Sequence, residues 1–241
     1  WKYADGKEIS PEGLFCERDS FEQILLLNRL RDSLYKINPL LPADAVDSAV
    51  QKIQRVHSTD LLADNELFHE LLVEKVKIPY RENGYERSHE VALVDFDNPL
   101  NNEFLAVNQY TIVENNQNKR PDVILFVNGI PFVVIELKNP VDENATVRKA
   151  YEQIQTYKYA IPSLFTYNAL CVISDGLECK AGSVSAGFNR FMNWKTEDGR
   201  KEASRFAPQL DVTIKGMLNP VTFLDLIRNF IVFRKTKKED I

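Results

Sequence analysis

Three side chains in this sequence have types and spacing that suggest chemistry: Asp122, Glu136 and Lys138. Asp122 follows Pro121 at the entry of an apolar run, Val123–Val127, and Glu136 and Lys138 close a second run over 130–138. Asn128-Gly129 separates the runs, and Asn-Gly between two apolar stretches is a strong hairpin signal because a type I′ turn needs positive φ at both central residues. The hairpin folds the end of its second strand back beside the start of its first, which makes Asp122 and Glu136 neighbours. Residues two apart on a strand face the same way, so Glu136 and Lys138 are expected to share a face while Leu137 points into the core. Two carboxylates and an ammonium at the end of an apolar hairpin oppose folding unless they are compensated. A hard divalent cation such as magnesium compensates them through oxygen ligands and can hold a phosphate oxygen as well. In that reading Asp122 and Glu136 are metal ligands, and the cation polarises a scissile phosphate. Lys138 orients or helps deprotonate an attacking water and stabilises the transition state. The plainer alternative is a salt bridge at a strand end, since a Glu-x-Lys triplet alone is common.

The elements that must hold these residues are legible in part. Phe21, Ile24, Leu25, Leu27, Leu30, Leu34 and Ile37 recur at helical spacing, and with a second helix from Pro42 to Val56 they predict helices across 18–56. Asn38-Pro39 separates the two. A third helix is expected from Asn65 to Val73. From about residue 76 the period shifts to two, with strand positions at Val91, Leu93, Phe96, Phe104, Ala106, Val107, Tyr110, Ile112 and Val113, and the polar stretch 114–120 reads as a loop. Beyond the hairpin, Asn139-Pro140 ends the strand. A helix is predicted over 146–159, a strand over 168–174 closed by Asp175-Gly176, and a last helix over 220–233. The polar tail over 234–240 reads as a linker.

The segment RPDVILFVNGIPFVVIELKNP resembles the core of the PD-(D/E)xK nuclease superfamily, and more narrowly that of the type I restriction enzyme R subunit. In that family the Asp, Glu and Lys are catalytic, and they match Asp122, Glu136 and Lys138. The family's Q-x-x-x-Y motif matches Gln153 and Tyr157, whose i, i+4 spacing puts both on one helical face; the resemblance implies a DNA-positioning role. LLADNELFHELL, VALVDFDNPLNNEFLAVNQYTI, LFTYNALCVISDG, FMNWKTEDG and FLDLIRNFIVF are similar to segments of the same subunit, so the resemblance covers nearly the whole chain. It implies an α/β fold, a restriction-endonuclease-like core with a mixed central sheet flanked by helices, plus an N-terminal helical lobe. The expected divisions are 1–60 for the lobe, 61–215 for the core, and 216–241 for a helix and linker toward an ATP-dependent motor. The superfamily often takes a further metal-facing acid from an early helix, for which Glu70 and Glu22 are candidates. Asn108-Gln109 precedes the hairpin without an assigned role.

The resemblance also sets the expected cofactors and partners. These are Mg2+, which Mn2+ can replace, double-stranded DNA, and the modification and specificity subunits of a restriction complex. ATP is expected only in the motor domains. The chain contains no GxxxxGK[ST] loop, and together with Trp1 as first residue this reads as a fragment of a longer protein. The net charge of −5 and pI near 5.4 count against a chain that grips DNA unaided, because phosphate binding rests on Lys and Arg. They suit a nuclease domain to which a motor delivers DNA. Cys16, Cys171 and Cys179 form no CxxC pair, which argues against a disulfide framework or a zinc site, and His57, His69 and His89 lack ligand spacing. No apolar run reaches the roughly 18 residues of a membrane span, and a cytoplasmic location is expected. Two rival functions stand beside the restriction nuclease: a repair nuclease with the same core, and a nuclease-like scaffold that couples to a motor without cutting.

Overall fold

The computed structural model describes residues 1–139 and 146–234. In chain order the elements are β1 Lys2–Asp5, α1 Leu27–Ile37, α2 Ala43–Gln54, α3 Leu61–Val73, β2 Val76–Glu82, β3 Tyr85–Val91, β4 Phe104–Asn108, β5 Ile112–Glu114, β6 Gln117–Lys119, β7 Val123–Val127, β8 Ile130–Leu137, α4 Val147–Ala160, α5 Ser163–Thr166, β9 Leu170–Ser174, β10 Cys179–Gly182, α6 Gln209–Val212 and α7 Pro220–Phe230. Six strands form a mixed sheet in the order β1-β4-β7-β8-β9-β10. β1 runs parallel to β4 and β8 parallel to β9, and the other pairings are antiparallel. This is the mixed α/β core flanked by helices that the resemblance implies. The expected linker beyond Arg234 and the strand-ending Pro140 lie outside the described residues.

β7 and β8 are the middle of the sheet because their residues are apolar on both faces: every residue of β8 from Ile130 to Glu136 is buried. Each Val, Ile or Phe taken from water here contributes roughly 1.5–3 kcal/mol. The β7–β8 turn is the one the sequence predicts, with Asn128 at φ 53° and Gly129 at φ 78°. A bulge at Leu125/Phe126 shifts the register, so that Val123 pairs with Ile135 and Asp122 comes to lie across from Glu136. α4 is capped by Thr146, whose side chain accepts from the Lys149 amide, and buries Val147, Ala150, Ile154, Tyr157 and Ala160 on one face, against β8 and β9.

The N-terminal region departs from expectation. α1 begins at Leu27 rather than near residue 18. The preceding segment keeps its apolar spacing but gives its backbone to other elements. The Phe21 carbonyl accepts from Val113 N at 3.0 Å, and Leu26 N donates to the Gly129 carbonyl at 2.9 Å. Those groups cannot also close helical i→i−4 bonds. Lys2–Asp5 adds an edge strand that pairs with residues about a hundred positions away, and β6 falls within the stretch read as a loop. The last helix stops at Phe230, short of the expected 233. The buried side chains of α1 and α2 join the same apolar cluster as β7 and β8.

Gly129 fixes how α1 meets the hairpin. A Cβ there would lie 2.5 Å from the Leu26 carbonyl oxygen and 2.9 Å from Leu30 N, both backbone atoms. Gly84 has a similar φ of +82°, but a Cβ on it would meet nothing within 4 Å. Gly84→Ala is therefore expected to cost only the left-handed backbone penalty, about 1–2 kcal/mol. Gly129→Ala should cost about 2–4 kcal/mol, because the backbone of α1 must also move. Urea denaturation of the two variants checks this: equal midpoints would show that the Leu26 contact carries no weight.

Candidate active site

The carboxyl ends of β4, β8 and β9 and the start of β7 meet at one end of the sheet, and the chemically suggestive residues gather there. Glu136 is only 3% exposed. Its Oε1 accepts from Lys138 Nζ at 2.8 Å, and its Oε2 accepts from the Tyr157 hydroxyl at 3.2 Å. Asp122 Oδ2 accepts from Leu137 N at 2.8 Å, and Oδ1 accepts from Gln109 Nε2 at 3.2 Å. The Lys138 amide donates to the Ser174 carbonyl at 2.8 Å, which extends the β8–β9 pairing past Leu137 and fixes the base of the lysine. The Lys138 side chain keeps 26% exposure, so it is partly open to an incoming ligand.

One expectation is overturned. Leu137 does not point into the core; it is 36% exposed, while Glu136 is buried. The alternation is intact but its sense is reversed, because α4 covers the face that carries Glu136 and brings Tyr157 onto it. Glu136 and Lys138 still share that face.

The electrostatics follow from this burial. Burial pushes the Glu136 carboxyl above its ordinary range, and the nearby Asp122 charge pushes it the same way, whereas Lys138 and the Tyr157 hydroxyl oppose the shift. The Tyr157 hydroxyl is itself pushed upward, by burial first and the Glu136 charge next. It therefore stays protonated and serves as a hydrogen-bond donor. Gln153, one turn before Tyr157 on α4, bears on the same hydroxyl. Two carboxylates of like charge, one of them dry, make a donor set that a hard cation would relieve. Two carboxylates with open positions for water and a phosphate oxygen suit magnesium. Among the described residues no cluster of three or more acidic, His or Cys side chains assembles.

Glu136, Lys138 and Tyr157 are thus joined by hydrogen bonds, and Asp122 lies beside them, its carboxylate held by the Leu137 amide and Gln109. Glu70 and Glu22 do not join them. Glu70 is exposed on α3, and Glu22 is exposed in the loop before α1, its amide bonded to Ser20 Oγ. Neither has a hydrogen bond or ion pair to Asp122, Glu136 or Lys138. Gln109 is the residue whose part the sequence left open. Its backbone is left-handed at φ 50°, and its amide donates to the Asp122 carbonyl at 2.9 Å while its side chain holds the Asp122 carboxylate. The available signal was a polar Asn-Gln pair ending a strand that runs antiparallel to the one Asp122 opens.

Comparisons with known proteins agree on one family. The family model described as "Type I restriction enzyme R protein N terminus" matches residues 1–190. The chain is 41% identical over 239 residues to the type I restriction enzyme HindI endonuclease subunit of Haemophilus influenzae, covering 98% of this chain and 23% of that protein. It is 34% identical over 121 residues to the type I restriction enzyme EcoprrI endonuclease subunit of Escherichia coli, covering 46% of this chain and 37% of that protein. The chain thus spans well under half the length of either relative.

Proposed function

Because this chain belongs to the family of type I restriction enzyme R-protein N termini, we propose that it is the DNA-cleaving domain of such a subunit, hydrolysing phosphodiester bonds in double-stranded DNA with Mg2+. The observation that carries this reading is the buried Glu136 carboxylate, held against Lys138 and Tyr157 and opposite Asp122. Asp122 and Glu136 would hold the cation, with Mn2+ able to replace it. When bound it supplies Lewis-acid polarisation of the phosphate and a more acidic water.

The chain's own residues do the rest. Gln109 and the Leu137 amide fix both oxygens of Asp122, and the Tyr157 hydroxyl fixes Glu136 Oε2. Lys138 Nζ, on Glu136 Oε1 at 2.8 Å, would orient the attacking water and meet the negative charge that grows on the phosphate oxygens. The water oxygen bonds to phosphorus and the bond from phosphorus to the leaving sugar oxygen breaks. The proton given up by the water balances the one the leaving oxygen takes. Gln153, beside Tyr157, would position DNA. Delivery of DNA by an ATP-driven motor, and assembly with modification and specificity subunits, belong to the full-length protein and fit the −5 net charge of this chain.

The rival scaffold reading makes a different prediction about metal. Mn2+ is expected to raise the unfolding temperature of this chain, and Asp122→Ala to abolish the rise. Gln109→Leu leaves both carboxylates in place but frees Asp122 Oδ1. It should require roughly 10-fold or more extra Mn2+ for the same stabilisation, as is usual when a group orienting a ligand is lost. A scaffold would show either no Mn2+ response or one that Asp122→Ala leaves intact.

A further inference from the structure

The β5–β6 hairpin contributes nothing to the sheet or the carboxylate cluster, yet it leads straight into Asp122. Its two-residue turn, Asn115-Asn116, has φ of 48° and 60°. Its base is held from several sides. Ile112 is fully buried, and Val113 N donates to the Phe21 carbonyl. Arg18 Nη1 donates to the Thr111 carbonyl at 2.9 Å while its guanidinium stacks 3.7 Å from the Tyr110 ring centre. The Glu114 carboxylate accepts from Ser163 N and Oγ at 3.1 and 2.8 Å. β6 packs against α4, the helix of Gln153 and Tyr157, and the Tyr157 hydroxyl reaches the Arg120 carbonyl at 3.4 Å.

Above this base the hairpin presents polar groups with no partner. Asn115, Asn116, Gln117 and Asn118 are all exposed, and none of these four amides is hydrogen-bonded to a described residue. Lys119 and Arg120 follow, and among the described residues neither has a carboxylate within salt-bridge range. In a chain of net charge −5, two cations and four side-chain amides thus share a braced arm beside the site, open to a ligand.

We propose that the β5–β6 hairpin is a DNA-positioning arm, which enters a groove of the duplex and holds its backbone while the strand at Asp122 and Glu136 is cut. This rests on the nuclease reading and specifies how that site receives its substrate. A two-stranded ribbon fits the roughly 12 Å major groove. Asn and Gln side chains offer a donor and an acceptor each to phosphates and base edges, and Lys and Arg supply the ionic contacts to phosphate. Asn116 stands six positions before Asp122, a reach of at most about 20 Å. At roughly 3.4 Å of rise per base pair, the tip meets DNA within about six base pairs of the cut.

The test uses the assembled full-length enzyme translocating on DNA with ATP. A benzophenone amino acid replaces Gln117 at the arm, Leu137 beside the carboxylates, or Tyr85 on the separate β2–β3 hairpin. After irradiation, DNA crosslinks are expected at the first two positions and not the third. A second arm measures salt dependence: Lys119→Ala with Arg120→Ala should lower the slope of log crosslink yield at Leu137 against log salt by about two. Crosslinking at Leu137 but not at Gln117, with an unchanged slope in the double variant, would overturn the arm and leave the nuclease reading standing. Silence at both Leu137 and Gln117 would overturn both.

Discussion

Glu136→Gln should make the metal-free protein more stable at pH 8 while removing its ability to cut DNA. The two effects have one cause. Burial first, and the Asp122 charge second, hold the Glu136 carboxyl above its ordinary range. A carboxyl raised in the folded state binds its proton more tightly there than in the unfolded chain, so its contribution to stability falls as pH rises from the unfolded value, near 4.3, through the raised folded value. Above that window the ionised form is a standing cost. Glutamine keeps an oxygen for the Tyr157 hydroxyl and removes the charge, and the partly exposed Lys138 ammonium can turn to water. In chelator at pH 8 the variant's unfolding midpoint should exceed that of the parent by roughly 2–4 °C for each kcal/mol relieved, and the gap should close as the pH falls below the window. With Mn2+ the order should reverse, because only the parent gains a ligand. Cleavage by the full-length enzyme should fall by about 10²–10³-fold or more. A lower midpoint for the variant in chelator at pH 8 would mean that Lys138 already compensates Glu136, and that no cation is needed to explain the burial.

How much of this was legible depends on whether the determining contacts were local. The β7–β8 hairpin was readable because its turn, its length and its two-faced apolar content are all sequence-near, and they sufficed to bring Asp122 beside Glu136. The α4 helix was readable for the same reason, with its threonine cap and its regular buried face. The start of α1 was not. Its apolar spacing continues N-terminally, and only the hairpin turn at Gly129 and the strand at Val113 draw that backbone out of a helix. β1 has four residues and a parallel partner across the chain, a pairing that leaves no local pattern. The Asn-Asn turn of β5–β6 carries a hairpin signal, masked by a polar stretch with no apolar alternation beside it. In the site itself, the period of two gave the shared face of Glu136 and Lys138 correctly. It could not say which face α4 would cover, and so had Leu137 inward. Gln109 was visible as a residue but not as a partner of Asp122, because its left-handed backbone and the register of β4 against β7 decide where its side chain goes.

The central claim is that these residues cut DNA, and the most direct measurement is DNA cleavage by the assembled full-length enzyme with ATP and Mg2+, comparing the parent with Lys138→Ala and following ATP hydrolysis in the same tubes. Lys138 Nζ is the cation on Glu136 Oε1, and no backbone or apolar contact replaces its charge at the phosphate. Alanine should cost about 10²–10³-fold or more in cleavage, and the fold should persist, since Lys138 lies just past β8 and the strand is untouched. Cleavage lost with ATP hydrolysis at the parental rate is the predicted result, placing the chemistry in this domain and apart from the motor. Cleavage at the parental rate in Lys138→Ala would contradict the assignment and leave the chain as a coupling or scaffold domain.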